Sequence, residues 1–390
     1  MTFQTTEYDT EQCYLDNAAT TFPKPACVLQ AAYRCASAYC GNPGRSAHEL
    51  SMRSAEAVYE ARCRLSELLG LSRPENTVFF ANATWALNTV LHGVLRRGDR
   101  VVTTDIEHNS VIRPLYALRK KGIQTAVLPV CGKHEEEIME LLRRQCRART
   151  RMVVVSHVSN VTGQELPIAQ IGAWCRERGI LFCVDASQSA GVYPIHMEQM
   201  GIDYLCFAGH KALFGLQGSG AAMIAPHAPA PNALAQGGNG MLSLEREMGD
   251  QLPEALEAGT VNVPGIVSLG AGARYVAQQT LPHIQSQIFS LYRPLYHYLS
   301  ACEGVKLYAP SAEKGSVLSF TVRGATPAQI AQHLADRGIC VRSGYHCAPL
   351  IHRSLGTMEN GTVRIGLSAL NTQRDVRRFC DGMEVCLSKQ

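Results

Sequence analysis

Between Asn76 and Lys211 the chain repeats one pattern: a short apolar run ends on polar residues and gives way to a turn or a helix-like stretch. Asn76-Thr77-Val78-Phe79-Phe80 reads as a strand leading into the turn Ala81-Asn82-Ala83-Thr84 and a helix from Trp85 to Leu95. Arg100 to Thr104 and Gln124 to Pro129 are the next two strands, and a charged helix runs from about Glu135 to Arg147. Met152 to Asn160 is a nearly continuous apolar run, the kind buried on both faces of a sheet. Two more runs follow, Ile180 to Asp185 and Gly201 to Lys211. Alternating strands and helices require a largely parallel sheet with right-handed crossovers, so the predicted fold class is α/β. Ligands of such sheets bind at the carboxyl ends of the strands.

Two of those ends carry a chemical suggestion. Lys211 closes one run within Gly209-His210-Lys211, and Asp185 closes another with Gln188 three residues on. Alone, Asp185 can be a helix cap and Lys211 a solvated turn lysine. Together they are the two protein groups that pyridoxal phosphate requires, an amine to form an imine and an acid to keep the pyridine nitrogen protonated. Thr84, opening a helix, offers a hydroxyl and backbone N–H groups to a phosphate, unless it is a simple N-cap. His108 can lie against an aromatic ring and Asn160 can hydrogen-bond a ring hydroxyl, although either can be an ordinary loop residue. Their common placement after successive strands is the stronger signal.

At 390 residues the chain exceeds the roughly 250 to 300 at which a single core stops growing, which predicts two domains. Hydrophobic residues at 46% and charged residues at 18% are an ordinary globular balance, and a net charge of +4 is too small and scattered for nucleic acid. No low-complexity tract, heptad run or internal repeat stands out, and no apolar stretch has membrane length. Met1-Thr2-Phe3-Gln4-Thr5-Thr6-Glu7 lacks the basic segment and apolar run of a signal peptide, so a cytoplasmic protein without membrane partner is predicted. The 15 cysteines include no Cys-x-x-Cys and are odd in number, and no metal site is predicted. Cys183 and Cys206 in strand runs read as core thiols, as do Cys27, Cys35, Cys63, Cys146, Cys175, Cys380 and Cys386 in helix-like stretches. Cys347 is the exception. Its turn-rich segment, Val341-Arg342-Ser343-Gly344-Tyr345-His346-Cys347-Ala348-Pro349, puts a histidine and an arginine near an exposed sulfur, which favours the thiolate.

These segments together resemble a known family. Tyr14-Leu15-Asp16-Asn17-Ala18-Ala19-Thr20-Thr21, Glu107-His108, His157-Val158-Ser159-Asn160, Val184-Asp185-Ala186-Ser187-Gln188, Gly209-His210-Lys211, Glu257-Ala258-Gly259-Thr260 and His346-Cys347-Ala348 are similar, in order, to the class V aminotransferase superfamily and specifically to cysteine desulfurases of the SufS type. The resemblance implies the aspartate aminotransferase-like fold (fold type I), a large domain with a mainly parallel sheet plus a smaller α+β domain. It implies that Lys211 forms the Schiff base, that Asp185 pairs with the pyridine nitrogen, that His108 stacks on the ring, and that Gln188 and Asn160 contact its hydroxyl side. Thr84 and His210 would bind phosphate. Thr260 would reach the phosphate of a neighbouring subunit, making a homodimer with composite sites. Arg364, Arg342 and Asn17 fall to the substrate side, with Arg364 as the carboxylate clamp. Two departures bear on phosphate binding: Ala208 stands where the family usually has serine, and Trp85 where it often has threonine.

The implied reaction converts L-cysteine to L-alanine, with Cys347 taking the sulfur as a persulfide for an acceptor protein. Selenocysteine lyase uses the same scaffold, a conventional aminotransferase needs no Cys347, and a non-catalytic sulfur-relay scaffold is the reading from another class. The expected division is a large cofactor domain over residues 21–265 and a small domain from residues 1–20 and 266–390, with Gly259 to Gly265 as hinge and a long helix from Ile266. In the small domain Val317 to Val322 reads as a strand and Pro327 to Gly338 as a helix.

Overall fold

The structure is a computed structural model that describes residues 12–43, 47–238 and 244–388. Residues 1–11 lie outside it, and with them both the reading of the chain's start and the first part of the expected small domain. In chain order the elements are β1 (Cys13–Tyr14), α1 (Ala26–Ala38), α2 (Glu49–Leu69), β2 (Thr77–Phe80), α3 (Ala83–Val94), β3 (Arg100–Thr104), α4 (Asn109–Arg119), β4 (Gln124–Leu128), α5 (Glu135–Gln145), β5 (Thr150–Ser156), α6 (Ile168–Arg176), β6 (Leu181–Asp185), β7 (Tyr204–Ala208) and β8 (Gly220–Ile224). They continue with α7 (Val263–Gln279), α8 (Leu281–Ala301), β9 (Val305–Tyr308), β10 (Val317–Val322), α9 (Pro327–Ala335), β11 (Ile339–Cys340), β12 (Arg342–Gly344), α10 (Pro349–Leu355), β13 (Thr362–Gly366) and α11 (Gln373–Leu387).

The central sheet runs β2-β8-β7-β6-β5-β3-β4. β6, β7 and β8 are buried at every position, which is why they read as unbroken apolar runs rather than alternating ones. β7, β6, β5, β3 and β4 are parallel, while β8 is antiparallel to both its neighbours, β7 and β2. The carboxyl ends of β2, β3, β5, β6 and β7 therefore share one edge. Gly220 at the start of β8 serves that edge: a Cβ there would stand 2.8 Å from the Cα of Asn82, so only glycine lets the turn before α3 close against the strand.

The outer edge of β2 is finished by side chains rather than by another strand. Arg62 on α2 donates to the Thr77 carbonyl, and Glu257 accepts from Phe79 N at 2.7 Å. The two are joined by a 2.6 Å ion pair whose side chains are 6% and 9% exposed. The pair thus satisfies backbone groups that a buried edge would otherwise leave unpaired, and Glu257 anchors the segment leading to Thr260.

Downstream, an antiparallel sheet β12-β13-β10-β9 and the parallel pair β1-β11 form a second layer with α8, α9 and α11. The amino-terminal strand joins this layer, and Asp16 continues it as a bridge to Gly366 on β13. α7 starts at Val263, three residues before the expected Ile266, because Asn262 caps it through Gly265 N at 3.1 Å and Pro264 occupies its first turn. The run expected to extend to Asn160 stops as a strand at Ser156. There Ser159 Oγ accepts from Val161 N and Thr162 N, 3.2 Å each, and turns the chain. Likewise Gly201, at φ 69°, belongs to the turn before β7 rather than to the strand. Among the described residues no helix is long and apolar enough to cross a membrane.

Candidate active site

A cavity of about 200 Å³ opens at the carboxyl edge of the sheet, lined by Asn82, Ala83, Thr84, His108, Asn160, Asp185, Gln188, Ala208, His210 and Lys211 among others. Asp185 at the end of β6 and Lys211 three residues past the end of the adjacent parallel β7, which stops at Ala208 rather than running to Lys211, thus face one space. Asp185 is 5% exposed; Ser187 N at 2.9 Å and Ser187 Oγ both donate to its Oδ1, leaving Oδ2 with no donor among the described residues. Burial pushes the Lys211 ammonium down to about 8, against the opposing pull of Asp185. A buried carboxylate with one bare oxygen and an amine near its neutral point are what a ring nitrogen and a carbonyl need on either side of a bound molecule.

The end formed by α3 suits an anion. Asn82 Oδ1 caps the helix at Trp85 N, 3.1 Å, while the N–H groups of Ala83 and Thr84 have no acceptor among the described residues. Two free amides at the start of a 12-residue helix, with the Thr84 hydroxyl beside them, can receive an anion. His210 closes the same end, its Nδ1 3.0 Å from Thr20 Oγ1, and burial holds its imidazole at about 4. Ala208 lines the wall where a serine was the family expectation and offers no hydroxyl.

His108 caps α4, its Nδ1 accepting from Ser110 N at 3.0 Å. Burial holds it at about 4 despite Asp185, so a neutral ring faces the cavity. Gln188 donates through Nε2 to Ala18 O at 2.9 Å, which ties the motif after β6 to the amino-terminal segment. Beneath them Glu107 is fully buried, hydrogen-bonded to Thr104 and to Ser156 N and Oγ, and burial raises it to about 7.

The Cys347 loop is pinned to the rim of this cavity. Asn160 Nδ2 donates to His346 O and Asn109 N donates to Cys347 O, each at 2.7 Å. His346 and Cys347 both take left-handed backbone conformations, φ 48° and 57°, a strained arrangement for residues with a Cβ. Cys347 itself is exposed. The expected help from the neighbouring histidine fails: His346 is buried, its Nε2 donates to Thr362 O at 3.1 Å, and burial drops it to about 2, so it is neutral beside the sulfur. Arg364 lies within electrostatic reach of Cys347.

The remaining expected residues divide. Arg364 is 2% exposed on β13, with Arg342 opposite it on β12. Asn17 is spent on structure, its Nδ2 donating to Gly366 O and Asn371 Oδ1 at 3.0 Å and its Oδ1 accepting from Phe22 N at 3.2 Å. It lines a narrower cleft that shares Lys211 with the main cavity. Thr260 is exposed and lines, with Trp85, a separate cavity of about 300 Å³ that Lys211 does not line. Sequence reading missed Asp16, Ser187 and Lys24. Asp16 and Ser187 stand inside the quoted motifs. Lys24, 8% exposed and held by burial at about 8, donates to His210 O at 2.6 Å, and only its spacing from Asn17 could have drawn attention to it.

The description of aminotransferase class-V matches residues 13–379 of the chain. A probable cysteine desulfurase of Methanothermobacter thermautotrophicus is 31% identical over 387 residues, covering 96% of this chain and 94% of that protein. One from Pseudomonas putida is 30% identical, with 96% and 93% covered. Among solved structures, the apo cysteine desulfurase from Thermococcus onnurineus NA1 matches with a TM-score of 0.88 and 30% identity over 97% of this chain and 96% of that one. The cysteine desulfurase CsdA of Escherichia coli, in its S-sulfonic acid form, matches with a TM-score of 0.85 and 26% identity over 97% and 95%.

Proposed function

The chain belongs to the class-V aminotransferase family, among its cysteine desulfurases, and from that premise we propose that it is a pyridoxal-phosphate-dependent cysteine desulfurase that converts L-cysteine to L-alanine and takes the sulfur onto Cys347. When bound, pyridoxal phosphate supplies an electron sink for bonds broken at the substrate Cα. Asp185 Oδ2 would hold the proton on the ring nitrogen, and the Ala83 and Thr84 amides with His210 would hold the phosphate. His108 would lie neutral against the ring, with Gln188 and Asn160 on its hydroxyl side. Lys211 Nζ, close to its neutral point near pH 8, is suited to accept the Cα proton and return it.

Arg364, with Arg342 opposite it, would hold the substrate carboxylate, and Asn17 would serve that side by fixing the backbone at Gly366. Cys347 Sγ, as thiolate, would attack the substrate sulfur: the Cβ–S bond breaks, an S–S bond forms on Cys347, and Cβ gains the proton that completes alanine. The observation that carries this reading is the convergence of Lys211 and Asp185 on one cavity whose rim, at Asn109 and Asn160, hydrogen-bonds the backbone of the Cys347 loop.

A homodimer is part of the proposal, and the exposure of Thr260 away from its own chain's cavity supports it. So are a sulfur-acceptor protein, a cytoplasmic setting, and a division into a cofactor domain over residues 21–265 and a small domain from the rest. The test is an alanine assay with L-cysteine and a thiol reductant. Stoichiometric alanine and sulfide, without added keto acid and absent in Lys211→Ala, is the expected result. No alanine, or alanine only with a keto acid, would end the desulfurase reading.

A further inference from the structure

The arginine assigned to the substrate carboxylate already carries a carboxylate of its own chain. Arg364 Nη2 is 2.8 Å from Asp16 Oδ1, Nη1 donates to Asn160 O at 3.1 Å, and Nε has no partner among the described residues. The pair is placed by backbone. Asp16 bridges Gly366, two residues from Arg364, and Asn17 N donates to Gly366 O at 3.2 Å. Its exposure is uneven, with the arginine side chain 3% exposed and that of Asp16 20%. Arg342 stands directly opposite Arg364 across β12 and β13, so without Asp16 two like charges would face each other with no other carboxylate paired to either among the described residues.

We propose that Asp16 is a specificity-determining residue, an internal carboxylate that holds Arg364 until the α-carboxylate of an amino acid replaces it, and that thereby sets how tightly substrate and product bind. This rests on the role given to Arg364 above. Three effects act with the same sign. An arginine engaged by Asp16 is only fractionally available, which weakens the apparent affinity by that fraction. A carboxylate left within a few ångströms of an incoming one repels it. And with Asp16 in place the free chain has no uncompensated buried guanidinium for the ligand to relieve. L-alanine carries the same α-carboxylate as L-cysteine, so the competitor that weakens substrate binding also promotes product release.

The test compares wild-type holoenzyme with Asp16→Asn and Asp16→Glu. It reads KM for L-cysteine, the dissociation constants of L-alanine and L-alaninamide from the visible spectrum of the bound cofactor, and the thermal midpoint of the cofactor-free chain. Asp16→Asn is expected to bind L-cysteine and L-alanine about 10-fold more tightly, with no gain for the amide, while its thermal midpoint falls. Asp16→Glu is expected to stay near wild type in both respects. A lower midpoint with unchanged or weaker carboxylate binding makes Asp16 purely structural and overturns the proposal, as does an equal gain for the amide. If Asp16→Asn does not fold, Asp16→Ser removes the charge while keeping an acceptor, and the same outcomes apply. Failure of the functional reading looks different, because the wild type itself would neither bind L-alanine nor turn over L-cysteine.

Discussion

Lys211 is poised by burial. Its ammonium falls from an ordinary 10.5 to about 8, and burial moves Lys24 to about 8 as well. For a lowered lysine the unfolded chain binds the proton more tightly than the folded one. The penalty is therefore fully present below pH 8 and disappears as pH rises toward 10.5, so the contribution of these two lysines to the stability of the cofactor-free chain rises across that window, against the falling contribution of buried thiols such as Cys13 and Cys131 that burial raises above 9. Lys211→Met should remove the Lys211 share, so that stability in urea unfolding gains less between about pH 8 and 10 than it does in the wild type; an unchanged pH dependence would show that burial does not lower the Lys211 ammonium. Lys211→Ala should abolish the visible absorption of the reconstituted cofactor, while Cys347→Ala should keep it, readable in a spectrum without any turnover. Lys211, Asp185 and Cys347 were legible because each interrupts a pattern, two by ending apolar runs and one by placing a cysteine in a turn. Asp16 was not legible as a partner of Arg364. Their contact spans 348 positions and leaves no local trace.

Strand ends explain why the site residues arrive together, and side chains that mimic backbone explain why they stay. The Arg62–Glu257 pair finishes the β2 edge and fixes the path to Thr260. Glu257→Ala leaves a buried guanidinium unpaired and Phe79 N without an acceptor, and should lose about 3–5 kcal/mol in urea unfolding. Glu257→Gln, which can still accept from Phe79 N, should lose less. Asn160 acts on another element: it bonds the Cys347 loop at His346 O. In the cofactor-free chain Asn160→Ala should speed amide exchange at Ala348 and Asn109 by up to about 10-fold, the equivalent of one lost hydrogen bond. Unchanged exchange would mean that the loop is held elsewhere. The strands themselves were legible from apolar runs. The stop at Ser156 was not, because His157-Val158-Ser159-Asn160 looks like a continuation until Ser159 is seen turning the backbone with its own hydroxyl.

At the scale of the molecule the alternation of runs and helices sufficed for a parallel sheet, but not for the antiparallel entry of β8 between β7 and β2. Strand direction within a sheet depends on crossovers that periodicity does not record. The proposed homodimer makes the site composite, which can be tested across subunits. If Thr260 serves the neighbouring subunit, mixing Lys211→Ala with Thr260→Ala chains under conditions of subunit exchange should restore cofactor binding at one intact site per mixed dimer. No restoration would place Thr260 with its own chain or outside the site. The whole account turns on sulfur reaching Cys347 from a cofactor-dependent reaction at Lys211. Intact-protein mass spectrometry after incubation of the holoenzyme with L-cysteine, followed by peptide mapping, measures this directly. One added sulfur on the Cys347 peptide, absent in Lys211→Ala and in Cys347→Ala, is the predicted result; full persulfide-dependent sulfur transfer in Cys347→Ala would contradict it.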